Sequence, residues 1–131
     1  MSTTEQPVDE SSPLPPVTVL GLSMDASDPG AVAAFWAAAL GRTVGAGGTE
    51  EFASVPVGAP ESGSFLMFHR VPESKQVKNR VHLDLATLDA EAETERLTGL
   101  GARVLRPLAA NGGHWVSMAD PEGNEFDLVT R

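Results

Sequence analysis

At 131 residues the chain has the length of a single domain, which is enough to bury one substantial core. Its formal net charge of −9, with scattered Lys and Arg, excludes a basic surface for nucleic acid, and an acidic surface of this kind serves mainly solubility. The absence of cysteine excludes disulfides and thiolate chemistry, leaves His, Asp and Glu as metal ligands, and favours a cytoplasmic location.

The first fifteen residues are polar and rich in proline, and they have neither the basic start nor the apolar core of a signal peptide. We therefore expect residues 1–15 to form a disordered tail, followed by one domain over residues 16–131. Nothing later in the sequence is typical of a transmembrane span, so we expect no membrane partner.

Two parts of the chain follow the same plan, with an offset of 60 or 61 residues. Asp28 and Pro29 are typical of a helix start and Gly41 of a helix end, while Asp89 and Gly101 mark a second helix in the same way. This repetition predicts two units, at about residues 16–73 and 78–131.

Side-chain periodicity predicts the elements within each unit. The apolar residues of the first helix form one stripe: Val32, Phe35, Trp36, Ala39 and Leu40. The clearest packing residues of the second, more polar helix are Leu88, Leu97 and Leu100. Alternation predicts strands at 17–24, 42–46, 52–57 and 64–71, and again at 79–86, 103–107, 113–119 and 125–130.

Each unit is then one helix laid on a curved, four-stranded sheet, which leaves the other face of the sheet without cover. Two such mixed sheets that face one another supply this cover and enclose a cavity. The predicted fold is therefore α+β, with two βαβββ repeats around a pocket for a small molecule.

The offset of 61 residues pairs His82 with Gly21 and Asp127 with Leu66. Alternation predicts that Val81, Leu83 and Leu85 face the helix, so that His82, Asp84, Glu125 and Asp127 face the cavity. The expected pocket residues are Gly21, Ser23, Leu66, His82, Asp84, Trp115, Glu125 and Asp127. Two alternatives stay open: His82 and Asp84 as a buried polar pair, and Trp115 as a residue that fills the core.

Two stretches carry a resemblance to a known family: KNRVHLDLATLD (78–89) and ADPEGNEFDLV (119–129). In the paired strand–helix–strand pattern, the chain resembles the vicinal oxygen chelate superfamily of glyoxalase and bleomycin-resistance proteins over residues 17–131. Without the resemblance, the residues from Asp120 to Asn124 are simply those that a tight turn needs.

The resemblance implies a divalent metal held at four inward positions, which are Gly21, Leu66, His82 and Asp127 in this sequence. Only His82 and Asp127 can bind a metal, so the implied site is incomplete. Glu125, Asp84 or His69 are candidates for a missing ligand, although alternation points His69 away from the cavity.

Three functions fit this pattern. The first is a metal-assisted lyase, isomerase or dioxygenase in which Glu125 or Asp84 moves a proton. The second is a metal-free protein that sequesters a small, cationic compound, as drug-resistance members of the superfamily do. The third, a sensing or scaffold module, has no supporting feature beyond the missing ligands.

The resemblance also implies a homodimer, because in similar proteins of this length the facing sheets often come from different chains. Gly21 and Leu66 of one subunit would then meet His82 and Asp127 of the other.

Overall fold

A computed structural model describes residues 16–58 and 64–131. The first half contains β1 (Gly21–Ala26), α1 (Pro29–Leu40), β2 (Phe52–Pro56) and β3 (Phe65–Arg70). The second half contains β4 (Leu83–Thr87), α2 (Ala90–Leu100), β5 (Arg103–Arg106), β6 (Trp115–Ala119) and β7 (Glu125–Thr130), with a short 3₁₀ helix at Leu108–Asn111. The expected tail, residues 1–15, lies outside the described residues, and the domain boundary stays a prediction.

The strands form two mixed sheets, in the orders β1-β3-β2 and β4-β7-β6-β5. In each sheet the strand before the helix pairs in parallel with the last strand of its half, and the other pairings are antiparallel. The predicted α+β class is confirmed. The strands β1 and β4 are both edge strands and belong to different sheets, so the two sheets do not close on one another. A cleft lies between the two sheets.

The strand expected at 42–46 does not form, so the first sheet has three strands in the part of the chain described here. Within residues 42–46, the backbone is hydrogen-bonded to β2 only through the Gly45 N–H, which donates to the Ser54 carbonyl at 2.7 Å. Gly47, with a φ of +86°, then turns the chain away in a left-handed conformation that glycine adopts readily.

Two strands begin four residues later than predicted, at Gly21 and at Leu83. The residues ahead of β1 are exposed, and Val81, expected to face a helix, is 68 % exposed. The physical reason in the second case is a competing partner: the Asn79 N–H donates to the Glu125 carboxylate instead of entering a strand ladder.

The helices begin and end as predicted. The Asp28 side chain accepts from the Ala31 N–H at 3.2 Å, and the Asp89 side chain accepts from the Ala92 N–H at 3.0 Å. The stripe of α1 faces the core. Of the three residues expected to pack from the second helix, Leu97 is buried, whereas Leu88 lies outside the helix before its cap and Leu100 is its last residue, and both are exposed.

The two halves share one core around three aromatic rings. Trp36 and Phe35 of α1 contact Phe126 of β7, with ring centroids 5.1 and 6.4 Å from it. Because these side chains come from both halves and are nearly fully buried, the apolar contact fixes the first helix against the second sheet.

A buried carboxylate accompanies this contact. Asp120, only 1 % exposed, accepts hydrogen bonds from the Trp36 indole N–H and from the backbone of Glu122 and Asn124, each at 2.9 Å. Burial raises the pKa of Asp120 above its ordinary value, although these hydrogen bonds act in the opposite direction. The turn expected at residues 120–124 is thus also a joint between the halves.

Further polar contacts connect the ends of α1 to the second half. The Glu122 carboxylate accepts from the backbone N–H groups of Ser27 and Asp28 at 2.8 and 3.0 Å, where the helix dipole favours negative charge. At the other end the Arg96 guanidinium donates to the Ala38 and Ala39 carbonyls. Neither helix in the described ranges combines the length and apolar character needed to cross a membrane.

We expect Asp120→Ala to lower the free energy of unfolding by about 1–3 kcal/mol, because it leaves the buried Trp36 N–H and two backbone donors without acceptors. Urea unfolding monitored by tryptophan fluorescence measures this change. Glu95→Ala, on the exposed face of α2, is the control and should stay within about 0.5 kcal/mol of the parent protein. Equal stabilities of the two variants would contradict the assigned role.

Candidate functional site

Three potential metal ligands converge on the outer face of the second sheet, which is the face turned away from the core. His82 directly precedes β4, Asp84 lies on β4, and Asp127 lies on β7. The His82 Nε2 atom is 3.2 Å from Asp84 Oδ1 and 3.1 Å from Asp127 Oδ2. The side chains are 36 %, 65 % and 24 % exposed, respectively, so the cluster is open to solvent on one side.

Strand alternation puts both carboxylates on this face. Phe126 and Leu128 flank Asp127 and are buried in the core. In the same way, Leu83 and Leu85 flank Asp84 and pack against the core. The residues between them in sequence therefore point outward. Parallel pairing of β4 with β7 then sets Asp84 and Asp127 directly opposite each other.

Two like charges opposite each other on one sheet face repel, and this repulsion favours a cation between them. The spacing fits a divalent metal ion: ligand atoms at about 2.0–2.2 Å from one ion lie about 3–3.6 Å apart. Both His82 contacts fall in that range, and all three ligand atoms lie within 4.8 Å of one another. An imidazole nitrogen and two carboxylates suit a transition metal such as Zn²⁺ or Mn²⁺.

Glu125, expected beside His82 in the pocket, has other partners. Its Oε1 atom lies 2.8 Å from the Lys75 Nζ atom, and its carboxylate accepts from the Asn79 N–H at 3.1 Å. Partial burial raises the pKa of Glu125, but the hydrogen bonds and charge of Lys75 and the Asn79 N–H outweigh it, so the pKa is lowered. This carboxylate is therefore ionised and already occupied.

A cleft of about 510 Å³ lies beside the cluster, between the edge of β1 and the segment that precedes β4. Its apolar floor includes Leu22, Met24 and Trp36, and its polar wall includes Glu73, Lys75 and Asn79. His82 lines the cleft and also belongs to the cluster, so it connects the two.

The residues expected in the pocket fall into three groups. Those that line the cleft are Ser23, His82 and Glu125. Those on the outer face of the second sheet are Asp84 and Asp127, which belong to the cluster, and Trp115. The remaining two are Gly21, on the outer face of the first sheet, and Leu66, in the core.

Leu66 requires a correction, because the repeat offset is not constant. Leu22 pairs with Leu66 as Leu83 pairs with Phe126, so the offset is 61 for the strands before the helices but 60 for the last strands. Leu66 therefore corresponds to Phe126, and the position equivalent to Asp127 is Met67. Because a shift of one residue moves a side chain to the other face of a sheet, Leu66 is buried and Met67 faces outward.

The same shift corrects the expectation for His69. The predicted alternation pointed it away from the pocket, but it lies on the outer face of β3, with its Nε2 atom 3.3 Å from the Ser23 Oγ atom and its ring 5.2 Å from that of Phe52. The sequence signal that could have found it was the unequal spacing of the two repeats.

Comparison with known proteins identifies the fold and the family. A family model described as "Glyoxalase-like domain" matches residues 21–129. No curated protein matches the chain in sequence.

Solved structures with this fold share little sequence with the chain. A glyoxalase-related enzyme from Fulvimarina pelagi has a TM-score of 0.66 at 19 % identity, covering 87 % of this chain and 88 % of its own. A point mutant of the fosfomycin resistance protein FosX from Listeria monocytogenes, complexed with Mn(II) and 1S,2S-dihydroxypropylphosphonic acid, has a TM-score of 0.65 at 16 % identity, with coverages of 86 % and 88 %. TioX from Micromonospora sp. ML1 has a TM-score of 0.55 at 17 % identity, with coverages of 87 % and 98 %.

The repulsion between the paired carboxylates leads to a stability prediction. In metal-free protein at pH 8, Asp84→Asn should raise the free energy of unfolding by about 0.2–1 kcal/mol, because it removes the charge opposite Asp127. Urea unfolding in the presence of EDTA measures the difference. The control is Asp89→Asn, which also removes a carboxylate, and it should not raise stability because Asp89 is a helix cap that asparagine can replace. A loss of stability in Asp84→Asn would show that the contact of Asp84 with His82 outweighs the repulsion from Asp127 and would contradict this prediction.

Proposed function

Because the chain belongs to the glyoxalase-like domain family, we propose that it binds a small molecule at a divalent metal ion held by His82, Asp84 and Asp127. We further propose that it acts on this molecule as a metal-assisted enzyme of the lyase, isomerase or dioxygenase type. The observation that carries the proposal is the pair of opposed carboxylates, Asp84 and Asp127, with the His82 Nε2 atom between them.

The three residues would hold the ion from one side, and the exposed side of the cluster would leave a position open to solvent. Three protein ligands with an open position are the usual arrangement of a catalytic metal site, whereas a structural site is closed. When bound, such an ion polarises substrate oxygen atoms as a Lewis acid. The Mn(II) complex of the FosX mutant supports a metal role within this fold.

Asp84 fills the place of a ligand that the family pattern lacks in this sequence. It is the most exposed of the three proposed ligands. The contacts of Glu125 with Lys75 and Asn79 argue against a proton-transfer role for that carboxylate.

The cleft and the neighbouring sheet face receive the rest of the ligand. Leu22, Met24 and Trp36 offer apolar contact beside His82. Trp115, which is 37 % exposed on the same face as Asp127, offers an aromatic surface for stacking. These features favour a ligand that has both an apolar part and oxygen atoms able to chelate a metal.

We also propose a homodimer in which the outer face of the first sheet covers the outer face of the partner's second sheet. Phe52, Phe65 and Met67 are only partly buried on that first face, which has no helix of its own. A second copy seated there would close the metal site and bring His69 towards it.

A second candidate function is metal-free binding of a small cationic molecule. The opposed carboxylates of Asp84 and Asp127 favour this candidate, because an organic cation would neutralise them as a metal does. The metal content of the protein discriminates between the two candidates.

Metal titration tests the first candidate directly. We expect the EDTA-treated protein to bind Mn²⁺ or Zn²⁺ in isothermal titration calorimetry, more weakly as the pH falls because the ligands must be deprotonated. His82→Ala and Asp127→Asn should each weaken binding by more than the roughly 10–100-fold that loss of an outer-shell partner costs. His82→Gln separates lost coordination from lost volume.

The control for this titration is His114→Ala, which removes an exposed histidine outside the cluster. It should bind metal like the parent protein. Equal binding by the parent, His82→Ala and Asp127→Asn would contradict the proposed site, and a parent that binds no metal would leave the second candidate.

The proposed dimer has its own test. Sedimentation velocity at micromolar concentration should show a dimer for the parent protein and a monomer for Phe65→Glu, because a charge introduced on an apolar face opposes the burial of that face. Glu91→Ala on α2 should remain dimeric. A monomeric parent would contradict this part of the proposal.

A further inference from the structure

The segment that connects the two halves, residues 71–82, contains no helix or strand. We refer to these residues as the strap. Residues of the strap supply about half of the lining of the cleft, among them Glu73, Lys75 and Asn79. Its last residue is His82, so the strap forms one wall of the cleft and leads directly into the metal cluster.

One carboxylate holds the middle of the strap. Glu125 at the start of β7 lies 2.8 Å from the Lys75 Nζ atom and accepts from the Asn79 N–H with both oxygens, at 3.1 and 3.2 Å. The Lys75 ammonium also donates to the Val77 carbonyl, so the same ion pair shapes the bend of the strap. The ion pair is shielded from water, with side chains 14 % exposed for Glu125 and 21 % for Lys75.

Apolar packing contributes little to holding the strap. Val77, near its middle, and Val81, near its end, are 77 % and 68 % exposed. Apart from the Glu125 contacts, the strap is joined to the rest of the domain by the Val71 N–H, which donates to the Ala26 carbonyl, and by the Asn79 side chain, which donates to Asn124. At its end, His82 contacts Asp84 and Asp127. A segment with few buried apolar contacts opens at low free energy once its polar contacts are removed.

We propose that Glu125 is a positioning residue: by tying down the strap, it holds His82 in the metal cluster and keeps the wall of the cleft in place. The metal part of this inference rests on the proposed function, whereas the control of the strap does not. Glu125 and Asp127 lie two residues apart on the same face of β7, so one strand carries both a metal ligand and the anchor for the segment that delivers another.

The inference is tested first on metal-free protein in EDTA. We compare Glu125→Gln, Glu125→Ala and Lys75→Met with the control Lys78→Met, whose lysine lies in the strap, is exposed and makes no contact with Glu125. The readouts are hydrogen exchange at the Asn79 amide and the rate of trypsin cleavage after Arg80, a site that all four variants retain.

Glu125→Ala should speed Asn79 exchange and Arg80 cleavage by about tenfold or more, because a tenfold change in opening corresponds to about 1.4 kcal/mol, the scale of one charged hydrogen bond. Glu125→Gln and Lys75→Met should have smaller effects in the same direction, and Lys78→Met none. Exchange at the core strands β3 and β7 should stay unchanged, which distinguishes local opening from loss of the fold.

Titration with Mn²⁺ then tests the positioning of His82. Loss of an outer-shell partner weakens metal binding by roughly 10–100-fold, and we expect Glu125→Ala to fall in this range. A strap that loosens while the affinity for Mn²⁺ is unchanged would overturn the positioning role, and a strap that resists trypsin like the parent in all variants would overturn the inference as a whole. If the parent protein binds no Mn²⁺ but the strap still loosens, the proposed metal function fails and the anchoring by Glu125 stands.

Discussion

The buried contact between Trp36 and the Asp120–Asn124 turn is the constraint on which the arrangement of the two halves depends. An indole N–H and a carboxylate that are both removed from water must satisfy each other, and they do so at 2.9 Å. The edge-to-face rings of Trp36 and Phe126 lie beside this bond, so polar and apolar terms fix the same orientation. Glu122, two residues along the same turn, then caps the start of α1. The second half is thereby attached to the first helix at a defined angle, and the cleft lies at the remaining gap between the sheets.

The chemistry of the site follows from a conflict that the fold creates. The core requires Phe126 and Leu128 to point inward, and this requirement forces Asp127 outward, opposite Asp84. Two carboxylates in this position repel each other, and we expect this to favour a cation between them. Unfavourable pairs of this kind persist at functional sites, where a ligand relieves them.

The carboxylates of β7 have separate roles because their surroundings differ. Asp127 faces His82 and open solvent, whereas Glu125 is shielded and occupied by Lys75 and the Asn79 N–H. We propose that Asp127 supplies charge for a ligand and that Glu125 orders the strap. Rigid support from a strand is what a metal site needs, since its ligands must stay in place when the ion is absent.

The sequence by itself determined the elements whose cause is local. Asp28 and Asp89 cap helices through their own side chains, and the spacing of Val32, Phe35 and Trp36 fixes the buried face of α1. The alternation in LDL and FDL turns Asp84 and Asp127 outward. These features depend on neighbours within a few residues, so a periodic pattern is sufficient to predict them.

Only the tertiary structure decided the features that depend on residues far apart in the chain. Strand register is set by pairing and not by spacing along the chain, and the two repeats differ by one residue in their last strands. As a result, Leu66 is buried, and Met67 and His69 face outward. The pairing of Glu125 with Lys75 joins residues 50 positions apart, and no local pattern predicts it. The joint between Trp36 and Asp120 spans 84 positions, and from the sequence alone Asp120 was simply part of a tight turn. Burial and hydrogen bonding gave these residues their roles, and both arise only when the whole chain is packed.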